Sequence, residues 1–195
     1  MARRLVLASS SKYRRELLER LQIPFETISP GIAEDALPGE LAPVRAARLA
    51  RAKAAAVAGR FEDALIIGSD QVACLDGAML DKPGTPEQAL GQLRKASGRR
   101  VSFFTAIAVH DAVNASVSMR VVPCHVQFRS LDDGLIERYL AREQPYDCAG
   151  SAKVEGLGIA LLERVDCPDP TALIGLPLIT LTELLGVHGI AVPAP

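Results

Sequence analysis

Two short stretches combine residue types that could do chemistry on a phosphate. The first is Ser9-Ser10-Ser11-Lys12-Tyr13-Arg14-Arg15, which follows the apolar run Leu5 to Ala8 and precedes Leu17, Leu18 and Leu21 at helical spacing. Hydroxyls and free N–H groups at a helix N-terminus favour an anion, and the guanidiniums of Arg14 and Arg15 add bidentate donors. A plain N-cap with a solvated basic face uses the same residues, but arginines in a first turn oppose the helix dipole, and a bound anion relieves them. The second stretch is Ala64 to Val72, ALIIGSDQV, in which four apolar residues run into Gly68, Ser69, Asp70 and Gln71. It has the form of a buried strand delivering a carboxylate to its carboxyl end, where open α/β sheets place their chemistry. Asp70 also suits a capped turn after a core strand, the plainer reading of this stretch alone. Gly68 is expected to let the backbone bend or a ligand approach closely.

The remaining chain supplies the elements that must position these groups. A strand is predicted over Phe25 to Ser29, with Pro30-Gly31 turning the chain before Glu34 and Asp35. An alanine-rich helix over Pro43 to Ala58 carries Arg45, Arg48 and Arg51 at every third position, which reads as a solvated flank; Lys53 falls off that row and is left open. Turns are predicted at Asp76-Gly77 and at Asp81-Lys82-Pro83-Gly84, and Thr85-Pro86 has the form of a helix start. Val101 to Val109 and Val117 to Phe128 read as paired strands. The apolar alternation of the second changes phase at Val122-Pro123, predicting a bulge or an edge position. A capping box is predicted at Ser130 to Asp133, and a strand at Ile159 to Leu162 inside the glycine-rich Cys148 to Val165 segment. The last helix opens at Gly175-Leu176-Pro177-Leu178, and the tail from Val192 is expected to fray. With no internal repeat or low-complexity linker, the chain reads as one domain of 195 residues.

Composition narrows the function class. Lys plus Arg at 22 nearly cancels Asp plus Glu at 23, so a broad basic face for a nucleic-acid polymer is not expected, although a local anion pocket is compatible. Cys74, Cys124, Cys148 and Cys167 show no metal-site spacing and read as buried or incidental thiols in a reducing cytoplasm. The three histidines are scattered. No apolar run reaches membrane-spanning length, and Leu5 to Ala8 is too short for a signal peptide, so a cytoplasmic protein is expected.

Taken together, LASSSKYRRELL, GSDQV, LDKPGT, LRKASG, CAGSAKVEGLGIALLERV and GLPL resemble the Maf family of nucleotide pyrophosphatases, in register from Leu5 to about Leu185. The resemblance implies an elongated α/β domain with a central mixed sheet, flanking helices and a cleft between two lobes, similar to the inosine triphosphatase architecture. It implies hydrolysis of a nucleoside triphosphate to the monophosphate and pyrophosphate with a divalent cation, Mg²⁺ or Mn²⁺, and a homodimer. By motif, Asp70 corresponds to the proton acceptor; Ser9, Arg14, Lys53 and Lys82, with Arg15 assisting, to phosphate-binding positions; and Asp70 and Glu34 to the metal ligands. Three positions divide the family by substrate, here Tyr13, Gln71 and Glu155. An aromatic residue, Gln and Glu resemble the YceF-type branch acting on 7-methyl-GTP; Arg, Thr and Gln mark the branch acting on dTTP and UTP. Lys12 stands where the family usually has proline, and Tyr13 where tryptophan occurs in the branch. Cleansing of another nucleotide pool and a nucleotide-binding role in cell division are the alternatives.

Overall fold

The computed structural model describes residues 3–194; Met1, Ala2 and Pro195, the last within the tail expected to fray, lie outside the described residues. In chain order the elements are β1 (Arg4–Ala8), α1 (Lys12–Glu19), β2 (Glu26–Ile28), α2 (Ala42–Ala58), β3 (Ala64–Leu75), β4 (Ala78–Leu80), α3 (Pro86–Ala96), β5 (Arg100–Asp111), β6 (Val117–Phe128), α4 (Asp133–Glu143), β7 (Leu162–Asp166) and α5 (Leu178–Val187). The strands form one mixed sheet in the order β2-β1-β3-β5-β6-β7, with β4 paired to β3. β2, β1 and β3 run parallel, and the pairs beyond β3 are antiparallel. No described helix is long and apolar enough to cross a membrane.

β3 organises the site. It is longer than the apolar run suggests and continues through Asp70 to Leu75, paired with β5 over Leu65 to Cys74. Asp70 is therefore mid-strand, not the cap of a turn, because tertiary pairing overrides the turn preference of Gly-Ser-Asp. On its other flank β3 pairs with β1 only as far as Gly68 and with β4 only from Ala73. Between them, Ser69 to Val72 has no strand partner on that side among the described residues, and the cleft opens there.

Both faces of the sheet are covered, by alternate residues of each strand. On one face α2 packs over Val6, Ile66, Ala106 and Ala108. On the other, α1 and α5 cover Leu7, Leu65, Ile67 and Val109, while α3 and α4 cover Ala73, Phe103, Val126 and Phe128. Gly68 serves α2 rather than a ligand. A Cβ at that position would stand 2.1 Å from the Ala50 carbonyl oxygen and 2.7 Å from the Ala54 nitrogen. Gly68→Ala is thus expected to force α2 off the sheet and to cost at least the 1–3 kcal/mol of ordinary overpacking, roughly, in urea unfolding.

Three local expectations need correction, and a fourth, the bulge or edge position in β6, resolves to the edge. The β5–β6 register is unbroken at Val122-Pro123, where Pro123 sits opposite Phe104. β7 joins β6 only from His125, so the proline occupies an open edge that needs no N–H donor. The phase change arises because Val117, Met119 and Val121 face the α2 side, whereas Val122, Cys124 and Val126 face the opposite core. The last strand is Leu162–Asp166, not Ile159 to Leu162; its middle residues are exposed on the sheet edge, so it lacks an apolar signature. Helix α4 is capped by Asp132, whose carboxylate accepts from the Leu135 N–H at 2.8 Å, not by Ser130. Finally, Cys124 and Cys167 are joined as a disulfide, leaving Cys74 and Cys148 as free thiols. The β6–β7 ladder pairs His125 with Asp166, so the next residues outward are directly opposed, a relation that separation in sequence conceals.

Candidate active site

A cleft of about 550 Å³ opens beside the unpaired flank of β3. Its walls come from the β1–α1 loop, the segment around Glu34, α2, the turn after β4, residues 147–155 and residues 173–175. Ser9, Tyr13, Arg14, Glu34, Lys53, Asp70, Gln71, Lys82 and Glu155 all line it. Arg15 does not; it is exposed and its Nε donates to Glu19 Oε1 at 3.0 Å, an i,i+4 pair on α1.

The phosphate-like end is built at the close of β1. Ser9 is buried, and its Oγ accepts from the Ser11 N–H at 3.1 Å; Ser11 in turn caps α1 by accepting from the Arg14 N–H at 3.4 Å. Arg14 Nε donates to the Gly175 carbonyl oxygen at 2.8 Å, which aims the guanidinium across the cleft. Burial lowers the Arg14 pKa, opposed by the charges of Asp70 and Glu34.

Strand alternation divides the work of the next residues. Asp70, 6% exposed, turns toward α2, from which Lys53, 4% exposed, places Nζ 2.6 Å from Asp70 Oδ1 and 2.8 Å from Glu34 Oε1. Burial pushes the Glu34 carboxyl up, but the hydrogen bond and charge of Lys53, with the charges of Lys82 and Arg14, outweigh it and hold the pKa below the ordinary value. Lys53, left open by its helical phase, is thus the cation between two carboxylates. Gln71 turns the other way. Its Nε2 donates to the carbonyls of Ala172 at 2.8 Å and Leu173 at 3.1 Å and to Thr105 Oγ1 at 3.0 Å, which commits its donor side to the protein.

The opposite end of the cleft is acidic. The Tyr13 hydroxyl donates to Asp147 Oδ2 at 3.3 Å, and burial, together with Cys148 and Asp147, pushes its pKa upward. The Cys148 thiol is pushed up to about 12, first by burial and then by the Asp147 charge. Burial also raises the Glu155 pKa; the charge of Lys153 opposes this, and Glu143 and Asp147 reinforce it. Lys153 is engaged with Glu143 at 2.6 Å. The Lys12 ammonium stands 4.8 Å from the Tyr13 ring centroid, a cation already on the aromatic face.

Sequence reasoning missed Arg45, Asp147 and Gly175. Arg45 lines the cleft and bonds to both neighbouring loops, so the arginine row is not a solvated flank, although Arg51 is exposed as expected. Asp147 stood in view directly before the CAGS motif. Gly175, at φ +123°, leaves room for Arg14, whose Nε would lie 3.6 Å from a Cβ there.

Two carboxylates converging on one buried ammonium are a donor set that also suits a divalent cation. Mg²⁺ and Mn²⁺ take hard oxygen ligands, with one or two carboxylates and the rest from phosphates and water. No group of three or more His, Cys, Asp or Glu side chains stands ready to hold an ion among the described residues.

Curated proteins are similar to this chain along nearly its whole length. The curated 7-methyl-GTP pyrophosphatase of Thiobacillus denitrificans is 55% identical over 188 residues, covering 96% of this chain and 94% of its own. That of Pseudomonas aeruginosa is 50% identical over 189 residues, covering 97% and 98%. Among solved structures, the Staphylococcus aureus Ham1 protein superposes at a TM-score of 0.46 and 15% identity over 65% of this chain and 72% of its own. The model of the Maf-like protein family matches residues 4–188, and with relatives of this identity along nearly the whole length, the chain belongs to the Maf family.

Proposed function

We propose that the cleft hydrolyses 7-methyl-GTP to 7-methyl-GMP and pyrophosphate. The observation that carries this reading is the convergence of Tyr13, Gln71 and Glu155 with Asp70 on one cleft whose far end is acidic. Methylation at N7 leaves the guanine ring cationic, so an aromatic face and carboxylates are its complement. Glu155 accepts from the guanine N1–H and amino group with charge assistance, a pair of donors that pyrimidines lack. The names of the relatives support the same substrate.

In the proposed reaction a water oxygen bonds to the α phosphorus in line with the departing bridge oxygen. Asp70 takes the water proton, the bond to the β phosphate breaks, and pyrophosphate leaves. Ser9, Arg14, Lys53 and Lys82 grip the triphosphate and stabilise charge developing on it. Asp70 and Glu34 would hold the divalent cation, which when bound neutralises phosphate charge.

The test is pyrophosphate release across 7-methyl-GTP, GTP, dTTP, UTP and ITP with Mg²⁺ or Mn²⁺. The highest kcat/KM is expected on 7-methyl-GTP; a preference for dTTP or UTP would overturn the assignment, and tight binding without turnover would favour a regulatory role.

The raised Glu155 pKa adds a pH signature. A carboxyl whose pKa lies above the ordinary value is ionised only at higher pH and gains its proton earlier as the pH falls. Acceptance from the base is therefore expected to fade on acidification sooner than for an ordinary glutamate. Glu155→Gln should reduce kcat/KM for 7-methyl-GTP about tenfold or more and remove that acidic limb, while leaving pyrimidine turnover nearly unchanged. Equal losses on all substrates would assign Glu155 to structure.

A further inference from the structure

One arginine of α2 ties together the two loops that border the proposed triphosphate end of the cleft. Arg45 has a side chain 12% exposed, and its Nη2 donates to the Glu34 carbonyl oxygen at 3.0 Å. Its Nη1 donates to Asp81 Oδ1 at 3.0 Å and lies 3.4 Å from Met79 Sδ. One planar group therefore touches the loop that carries Glu34 and the turn that carries Lys82. Its Nε is buried without a partner, so the side chain is placed to serve these two outer contacts at the expense of its own third donor. Arg48, one turn further, bonds only to the first loop: Nη2 to the Asp35 carbonyl at 3.0 Å, and a fork onto Glu40 at 2.6 and 2.7 Å. Glu40 Oε2 in turn accepts from the Leu37 N–H at 3.3 Å, closing that loop on itself.

The helix that bears these arginines is itself fixed. Gly68 lets its backbone seat against β3, and the same helix delivers Lys53 to Asp70. We infer that Arg45 is a positioning residue that holds the Glu34 loop and the Lys82 turn at a set separation across the cleft, and thereby sets affinity for the metal-bound nucleotide. A guanidinium can do this because its donors diverge in a rigid plane; a lysine ammonium at the end of a flexible stem cannot reach both acceptors in one geometry. The Asp81 contact, with a side chain 73% exposed, contributes location more than energy, so the carbonyl of Glu34 is the dominant anchor.

The inference rests on the proposed reading that the triphosphate lies against Glu34 and Lys82. Three variants test it, Arg45→Met, Arg45→Lys and Asp81→Asn. For each, the affinity for a non-hydrolysable α,β-imido analogue of 7-methyl-GTP is measured, with Mn²⁺ affinity by electron paramagnetic resonance in its presence, alongside kcat, KM and Tm. Arg45→Met and Arg45→Lys are both expected to weaken analogue and Mn²⁺ binding about tenfold and to raise KM in step, with kcat changed by less than about threefold. Asp81→Asn should give a smaller loss of about threefold or less. Wild-type affinity in Arg45→Lys, or a lower Tm with unchanged affinity in Arg45→Met, overturns the inference. Should Arg45→Met fail to fold, Arg45→Lys still decides. A wild-type protein that binds no nucleoside triphosphate would instead sink the functional reading.

Discussion

Asp70→Asn is expected to lower pyrophosphate release from 7-methyl-GTP by about 10²- to 10⁴-fold, the range over which a positioned general base contributes. The substitution is a narrow one. Asparagine keeps the shape of the side chain and leaves a carbonyl oxygen for the Lys53 ammonium, now 2.6 Å from Asp70 Oδ1, while Glu34 continues to hold the same ammonium at 2.8 Å. The residue lies inside a strand paired to Ala106 of β5, so the backbone has no reason to move. Because Asp70 is also a proposed metal ligand, affinity is compared at saturating Mg²⁺, where binding through the proposed phosphate contacts of Ser9, Arg14 and Lys82 should change less than kcat. The informative measurement is steady-state turnover beside analogue affinity and thermal melting of the same preparation. Near-normal turnover would mean that the water proton goes to another group, and Glu34 would be the next candidate.

How much of this site could be read in the sequence depended on how far apart its partners lie. Ser9, Arg14 and the helix they open were legible because strand, cap and first turn are contiguous, and local spacing carries that signal. Asp70 was legible as a carboxylate after a buried strand, but its setting was not. Gly68-Ser69-Asp70 has turn composition, and only the β5 partner strand shows that it stays extended. The partners of Lys53, a residue singled out only by family resemblance, and the role of Arg45 were hidden for the opposite reason. A helical wheel gives the direction of each residue relative to the others on α2, but not which loop comes to meet it, so a row of arginines looked solvated although two of them strap the Glu34 loop. The Cys124–Cys167 pairing required the β6–β7 register, which no cysteine spacing encodes. The phase change in β6 marked an edge proline but no bulge: two layers cover opposite faces of a regular strand, and an alternation rule for one buried face sees this as a slip.

The second large effect is expected at Lys53, and it separates the demands of stability from those of catalysis. Lys53 is the cation between a buried carboxylate, Asp70, and the exposed Glu34. Lys53→Met keeps most of the stem that crosses the α2–β3 interface but removes the one cation in contact with both Asp70 and Glu34, leaving only the more distant charges of Arg14 and Lys82 to offset them. Breaking one partner of a buried pair costs about 3–5 kcal/mol, mostly the desolvation of the charge left behind. Urea unfolding without added metal should show a loss toward the lower end of that range, because Asp70 borders the cleft and water can reach its rim. If that account is right, removing the second charge must restore stability. Lys53→Met combined with Asp70→Asn is expected to be more stable than Lys53→Met alone by at least half of the loss, a coupling that independent sites would not show. Catalysis should not follow. The double variant lacks the base and one phosphate contact, so pyrophosphate release should stay at or below the level of Asp70→Asn. Recovered stability in the double variant would establish that Lys53 balances the carboxylates, and an analogue affinity below that of Asp70→Asn would assign it a phosphate contact as well; simple additivity of the two stability losses would remove the first of those roles.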